Sequence, residues 1–399
     1  MDSLTTLLEL PEEARRQRGV LHTLGEIMQQ PDCWTETASR VAQQAPRLLD
    51  FLARSGVTAG RATVFLVGAG TSDYVGGSLV HLLQRRWRCA VQAVASTDLL
   101  TEAAHLVLPD RPYLWISFSR SGESPEAVAV IEQALGRFPE IHHLAITCNQ
   151  QGAMATRFAN HSNVLTLVLN DRVNDRGLAM TSSFTNMVIA AQALAFLPHP
   201  DAYAPLLRGL VTAAQGFLPV AAAAAQATAH GWRQVCFLGS GPLHAVAWES
   251  ALKVLELTAG RIHTMAQSFL GLRHGPMSAL DASTLLVAYL AGDPHRQRYE
   301  RDLLTEIQCK ALPVRVLVVA PIAAGAIPGA EVVPLEVGAL PDDCRPPLDV
   351  LFGQFLGLFC SLALGLQPDA PSPNGAISRV VSRFTIFPAG GSGPESAGS

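Results

Sequence analysis

Ser117-Phe118-Ser119-Arg120-Ser121-Gly122-Glu123-Ser124 is the stretch on which the reading of this chain turns. The apolar run Tyr113-Leu114-Trp115-Ile116 precedes it, and Pro125 with the helical pattern Glu126 to Leu135 follows it. The order is therefore strand, hydroxyl-rich loop, helix start. Ser124 suits the N-cap and Pro125 the first helical position, and the partial positive charge of a helix N-terminus adds to the free N–H groups of the loop. Such a segment cradles an anion, and a phosphate is the natural candidate.

A second loop of the same kind lies upstream, where Thr63-Val64-Phe65-Leu66-Val67 runs into Gly68-Ala69-Gly70-Thr71-Ser72 and then an apolar helix pattern from Tyr74 to Leu83. Two hydroxylated loops at the carboxyl ends of two parallel strands occupy the place where open α/β sheets bind ligands. Thr71, Ser72, Ser119, Ser121 and Ser124 are thus expected to converge on one small phosphorylated molecule. The plainer alternative is that both loops are only tight turns and caps.

With 399 residues, 49% of them hydrophobic and 16% charged, the chain is long enough for two well-buried α/β domains. Its formal charge of −4 gives no general attraction to nucleic acid. The seven cysteines, Cys33, Cys89, Cys148, Cys236, Cys309, Cys344 and Cys360, show no Cys-x-x-Cys spacing and read as reduced thiols. His142-His143 has no carboxylate at ligand spacing and reads as structural, so no metal site is expected. No apolar run is read as long enough to cross a membrane and Met1 to Arg18 holds no signal-peptide core, so a cytoplasmic protein with no membrane partner is expected.

Residues 1–52 read as an N-terminal helical arm, interrupted at Pro31 and Pro46. The first α/β domain, 53–212, carries strand candidates Thr63 to Val67, Ala90 to Ala95, Tyr113 to Phe118, His143 to Thr147 and Val164 to Leu169, alternating with helices in the manner of a parallel sheet. A second series in 213–388 comprises Gln234 to Leu238, His263 to Gln267, Thr284 to Leu290, Val314 to Val319 and Glu331 to Leu335. The alanine-rich stretch Ala213 to Ala229 reads as a connecting helix. Gly239-Ser240-Gly241 echoes Gly68-Ala69-Gly70, whereas Ala291-Gly292-Asp293-Pro294 stands where the hydroxylated loop would recur. The duplication is unequal, with one phosphate site expected, in the first unit. The Gly/Ser-rich end, 389–399, reads as a disordered tail.

In the second unit, Trp248 to Leu257 places Glu249, Lys253 and Glu256 on one helical face. The apolar residues around them leave little exposed surface for charges, and buried charges are costly unless paired or functional. Structural ion pairing yields the same pattern. Phe269 to Pro276 follows as a Gly/Pro-bounded loop carrying Arg273-His274, and His274 is a general acid/base candidate beside a carboxylate helix.

Together, Gly-Ala-Gly-Thr-Ser at 68–72, Ser-Arg-Ser-Gly-Glu-Ser at 119–124, Glu-Ser-Ala-Leu-Lys-Val-Leu-Glu at 249–256 and Arg-His-Gly-Pro at 273–276 resemble the sugar isomerase (SIS) family with two SIS domains. Glu26 to Pro31, Leu178 to Thr185 with its Ser182 and Ser183, and Ser372 to Gly375 followed by Ser378 to Val381 resemble the tagatose-6-phosphate ketose/aldose isomerase group, also described as galactosamine-6-phosphate deaminases. The resemblance implies an α/β fold of two tandem SIS domains, each a five-stranded parallel sheet flanked by helices. It is shared with the isomerase half of glucosamine-fructose-6-phosphate aminotransferase, and by that likeness Ser119, Arg120, Ser121 and Ser124 bind phosphate while Thr71 and Ser72 line the sugar site. Glu256 is then the base that moves a proton between C1 and C2, Lys253 and Glu249 support it, and His274 opens the sugar ring. Arg120 replaces the glutamine of the aminotransferase loop and is expected to point a fixed positive donor at phosphate. Arg379 is the nearest counterpart of the aminotransferase's C-terminal lysine, and with Ser182 and Ser183 it is expected among the substrate-binding residues.

The resemblance implies an enzyme that converts a 2-amino-2-deoxyhexose 6-phosphate, galactosamine 6-phosphate favoured, to a ketose 6-phosphate and ammonia. No metal or organic cofactor is called for, because the substrate's own carbonyl or imine is the electron sink. Simple aldose–ketose isomerisation, fructosamine-phosphate deglycation and a non-catalytic sugar-phosphate sensor are the alternatives. A homodimer or larger homo-oligomer is expected, and His274 then serves either its own chain's site or that of a neighbouring subunit.

Overall fold

Helices open the chain because its early prolines fall where a helix tolerates them. In the computed structural model, which describes residues 3–372, 374–381 and 384–387, the arm consists of α1 (Leu4–Glu9), α2 (Glu12–Gln17), α3 (Leu21–Met28), α4 (Gln30–Gln43) and α5 (Ala45–Arg54). Pro31 and Pro46 sit in the first turns of α4 and α5, where the missing N–H has no intrahelical partner to lose. The tail expected at 389–399 lies outside the described residues.

The first sheet alternates strand and helix: β1 (Thr63–Gly68), α6 (Thr71–Trp87), β2 (Ala90–Ala95), α7 (Ser96–Leu106), β3 (Tyr113–Ser119), α8 (Pro125–Arg137), β4 (His142–Thr147), α9 (Ala153–Thr156) and β5 (Val164–Val168). Helices α10 (Ser182–Ala195) and α11 (Pro200–Thr228) lead to the second: β6 (Gln234–Leu238), α12 (Pro242–Leu257), β7 (His263–Gln267), α13 (Phe269–Leu272), β8 (Thr284–Tyr289), α14 (Pro294–Cys309), β9 (Arg315–Pro321), β10 (Glu331–Leu335) and the closing helix α15 (Pro346–Ala363).

Strand order is β2-β1-β3-β4-β5 in one sheet and β10-β9-β8-β6-β7 in the other, all pairs parallel. Counted from its own first strand, each sheet has the order 2-1-3-4-5, so the two are copies. The copy extends to single residues. Gly70 (φ 55°, ψ −126°) and Gly241 (φ 58°, ψ −126°) cap α6 and α12 in the same left-handed conformation. A Cβ on Gly68 or Gly239 would lie 2.3 or 2.0 Å from the backbone of the following helix, so only glycine admits that approach.

Along β3 the side chains alternate between two cores. Leu114, Ile116 and Phe118 face one that runs without a break through both sheets, and Tyr113 and Trp115 face a smaller one under α7 and α8. The shared core is filled by helices between the sheets, where α6 packs on α12 and α12 on α15.

The border proposed at 212/213 lies along α11, which runs from Pro200 to Thr228 past Pro205 and Pro219. The expectation that no run is long enough to cross a membrane is corrected. Two helices, α11 and α15, are long and apolar enough to cross a membrane by length and composition. For α15 the apolar surface is spent inside the protein, since every residue from Pro346 to Ser361 is buried.

Candidate active site

The strand order reverses between β1 and β3, and at that switch point the carboxyl ends of both strands open into a cavity of about 690 Å³. Thr71 and Ser72 begin α6 on one side, and Ser119, Arg120, Ser121 and Ser124 form the loop into α8 on the other. Leu252, Leu255 and Glu256 of α12 and the segment Ala376 to Val381 complete the walls.

The anion loop is held by its own chemistry. Gly122 turns it at φ +62°, with Thr147 Oγ1 so close that a Cβ would meet it at 2.9 Å. Ser119 Oγ accepts from the Gly122 amide (3.0 Å), Asn149 donates to the Ser121 carbonyl (2.9 Å), and Glu123 caps the Ala153 amide (2.9 Å). Ser124 is the N-cap of α8 but its hydroxyl makes no cap bond, which leaves the oxygen facing the cavity.

Behind Glu256 lies a buried charge cluster. Lys253 Nζ is 2.7 Å from Glu256 Oε2, 3.4 Å from Glu249 Oε1 and donates to Thr71 Oγ1 at 3.0 Å. Thr71 in turn donates to Glu249 (3.3 Å), so the start of α6 is tied to α12 across the two domains. Burial pushes the Glu249 carboxyl up to about 8 against the pull of Lys253, and Glu256 adds to the rise. Burial alone would lower Lys253, but its two carboxylate neighbours outweigh that and raise it. Burial thus favours the protonated form of Glu249, whose Oε2 has no hydrogen-bond partner among the described residues.

Arg120 lines the cavity, but its guanidinium is taken by carbonyls. It donates to Gly177, Leu178 (3.0 Å) and Arg379, so the expected donor aimed at phosphate is instead a clasp between three backbone segments. At 6% exposure those N–H groups require acceptors, and the carbonyls supply them. Arg379 reaches the site by a matching route: its side chain donates to the Asp175 carbonyl (2.6 Å) and to Asn174 Oδ1 (2.6 Å).

Ser182 and Ser183 do not line the cavity. They begin α10 behind it, where the carboxylate of buried Asp175 accepts from the amides of Thr181, Ser182 and Ser183 and from the Ser183 hydroxyl. Asp175 was not picked out from the sequence, since an aspartate among Asn174 and Arg176 reads as a surface turn. Glu26 approaches from α3 and accepts from the amides of Arg176 (2.5 Å) and Gly177, so the three segments of the closer resemblance meet at one loop. His274 is exposed, on the loop after α13 and outside the cavity of its own chain. Arg273 anchors that loop through Glu306 and Asp302, both at 2.6 Å.

In the second unit the equivalent of the anion loop is filled from within. Asp342 accepts from the amides of Gly292 (2.7 Å) and Asp293 (3.3 Å) and pairs with Arg296 and Arg345, while Glu300 takes the Ala291 amide (2.9 Å).

A hydroxylated anion loop at the switch point of one SIS-type sheet, facing a Glu–Lys–Glu cluster from the second, defines a sugar-phosphate isomerase class of enzyme. The SIS domain family profile matches residues 59–197. The AgaS protein of Streptomyces coelicolor is 39% identical over 371 residues, 92% of this chain and 95% of the relative. The D-galactosamine-6-phosphate deaminase AgaS of Escherichia coli is 35% identical over 376 residues, 91% and 94% of the two chains. The crystal structure of tagatose-6-phosphate ketose/aldose isomerase from Escherichia coli superposes with a TM-score of 0.82 at 32% identity, covering 92% of this chain and 96% of that one. The chain belongs to the double SIS-domain sugar isomerase family, in the group of these galactosamine-6-phosphate deaminases and tagatose-6-phosphate isomerases.

Proposed function

We propose that the protein converts a 2-amino-2-deoxyhexose 6-phosphate, galactosamine 6-phosphate in the first place, to the corresponding ketose 6-phosphate and ammonia. The observation that carries this reading is the partly exposed carboxylate of Glu256, held at 2.7 Å by buried Lys253 in a cavity that also contains the anion loop. Ser72, Ser119, Ser121 and Ser124, with the N-termini of α6 and α8, bind the phosphate. Arg120 and Arg379 keep the covering segment in position over it.

Glu256 takes the proton from C2 of the open-chain aldehyde, giving an enolamine across C1 and C2. The proton returns to C1, the C2–N bond becomes an imine, and water adds at C2 and expels ammonia. Lys253 pairs with Glu256 and holds it in place, and Glu249 braces Lys253 from the other side. His274, exposed on its own chain, opens the sugar ring in the cavity of a second subunit, which makes the working unit at least a homodimer.

Ammonia release from galactosamine 6-phosphate and from glucosamine 6-phosphate, with the wild type and Glu256→Gln, tests the reading. Turnover of one epimer, reduced at least about 100-fold in the variant with binding retained, is the expected result. Saturable binding of both with turnover of neither would make the protein a sugar-phosphate sensor instead.

A further inference from the structure

Two polar side chains of the cavity take no part in the chemistry above. Ser96, the first residue of α7, is fully buried, and Glu126, in the first turn of α8, is 5% exposed; both line the cavity. Neither the Ser96 hydroxyl nor Glu126 Oε2 has a hydrogen-bond partner among the described residues. Buried polar groups are nearly always satisfied, and leaving one unmade is costly, so two in one cavity call for a ligand that completes them.

Their place in the fold says which part of the ligand. Ser96 follows β2 and Glu126 follows β3, and the helices they begin pack side by side over the outer core of the first sheet. Glu256 comes from α12, on the inner face, so the pair belongs to a different wall. Glu126 is two residues from Ser124 of the anion loop. With the C6 phosphate on that loop and C1–C2 at Glu256, the hydroxyl-bearing carbons next to Glu126 are C4 and C5. A carboxyl oxygen that accepts and a serine hydroxyl that donates together complement an alcohol, which does both. C5 has one configuration throughout the D-hexosamine 6-phosphates, whereas C4 separates galacto from gluco.

We propose that Ser96 and Glu126 form the subsite for the substrate's 4-hydroxyl and set the preference at C4, an inference that rests on the phosphosugar reading of the cavity. The test is calorimetric binding of galactitol 6-phosphate and glucitol 6-phosphate, open-chain compounds with no carbonyl and therefore no turnover, with inorganic phosphate as the reference ligand. The wild type is expected to bind one epimer at least about tenfold more tightly, and Glu126→Gln and Ser96→Ala each to reduce that ratio by about tenfold or more with phosphate affinity unchanged. Equal affinity of the wild type for both epimers, discrimination that survives both substitutions, or a matching loss of inorganic phosphate binding would each overturn the assignment. Discrimination lost in the variants of a protein that turns over no amino sugar would uphold the subsite while removing the deaminase.

Discussion

Glu249, Glu26 and His143 give the protein a pH dependence of stability whose sign is fixed by burial. Burial pushes Glu249 up to about 8, and burial with the nearby Asp175 charge does the same to Glu26. Each carboxyl binds its proton more tightly folded than unfolded, so its contribution is complete below the ordinary carboxyl value and is lost as pH rises through about 8. His143 runs the other way: burial and its histidine neighbours lower it to about 3, so its effect is confined below its ordinary 6.5. The interval from 6.5 to 8 therefore belongs to the carboxyls. Stability should fall there by on the order of 2 kcal/mol per carboxyl, and Glu249→Gln or Glu26→Gln should flatten the slope. Denaturant titration at pH 6.5, 7.25 and 8 reads this; a slope unchanged in both variants would refute it. At this scale the sequence displayed the hydroxylated loops and the Glu–Lys–Glu face, because loop chemistry and helical spacing are local. Asp175, Ser96 and Glu126 were not legible, since what distinguishes them is burial against residues far away in the chain.

At the scale of elements, α15 positions the helix that carries Lys253 and Glu256. A Cβ on Gly353 would lie 2.1 Å from Ser250 Oγ, and one on Gly357 would lie 2.9 Å from both Leu257 Cδ1 and the Lys253 carbonyl. The two glycines, one turn apart, let α12 and α15 approach closely enough to bury Lys253 completely. Gly357→Ala has no flexible neighbour to displace on the carbonyl side, so the helices must separate, at a cost of about 1–3 kcal/mol. Because Lys253 and Glu256 move with α12, kcat should fall by about tenfold or more, given how steeply rate depends on placement. A stability loss with kcat intact would mean that α12 does not depend on this contact. The strands β1, β3, β4, β6, β8 and β9 were legible because strands buried on both faces read as short apolar runs bounded by turn residues. The continuity of α11 was legible only from Ala213 on, where alanines accumulate, and no local signal marks Gly353 and Gly357 as contacts of a helix a hundred residues earlier.

For the whole molecule, the site is a joint product of two copies of one sheet, with the hydroxylated loop from the first and the Glu–Lys–Glu cluster from the second. If His274 completes a neighbour's cavity, inactive Glu256→Gln and His274→Ala proteins should restore each other. A 1:1 mixture allowed to exchange subunits as a dimer should regain about a quarter of wild-type ammonia release, since half the dimers are mixed and each holds one intact site. No recovery despite demonstrated exchange would return His274 to its own chain. The duplicated architecture was legible in the echo of Gly68-Ala69-Gly70 by Gly239-Ser240-Gly241, but what replaced the second anion loop was not, because Asp342 arrives from about fifty residues away. That replacement has a consequence for amide hydrogen exchange. The N–H groups of Ala291, Gly292 and Asp293 are locked onto the buried carboxylates of Glu300 and Asp342, whereas those of Gly122 and Glu123 lean only on the hydroxyls of Ser119 and Ser121. Deuterium uptake at 291–293 should be slow and indifferent to sugar phosphate, while uptake at 121–124 should slow only when the ligand is bound. One half of the molecule therefore carries its anion permanently in its covalent chain, and under the proposed function the other must obtain it from solution at every turnover.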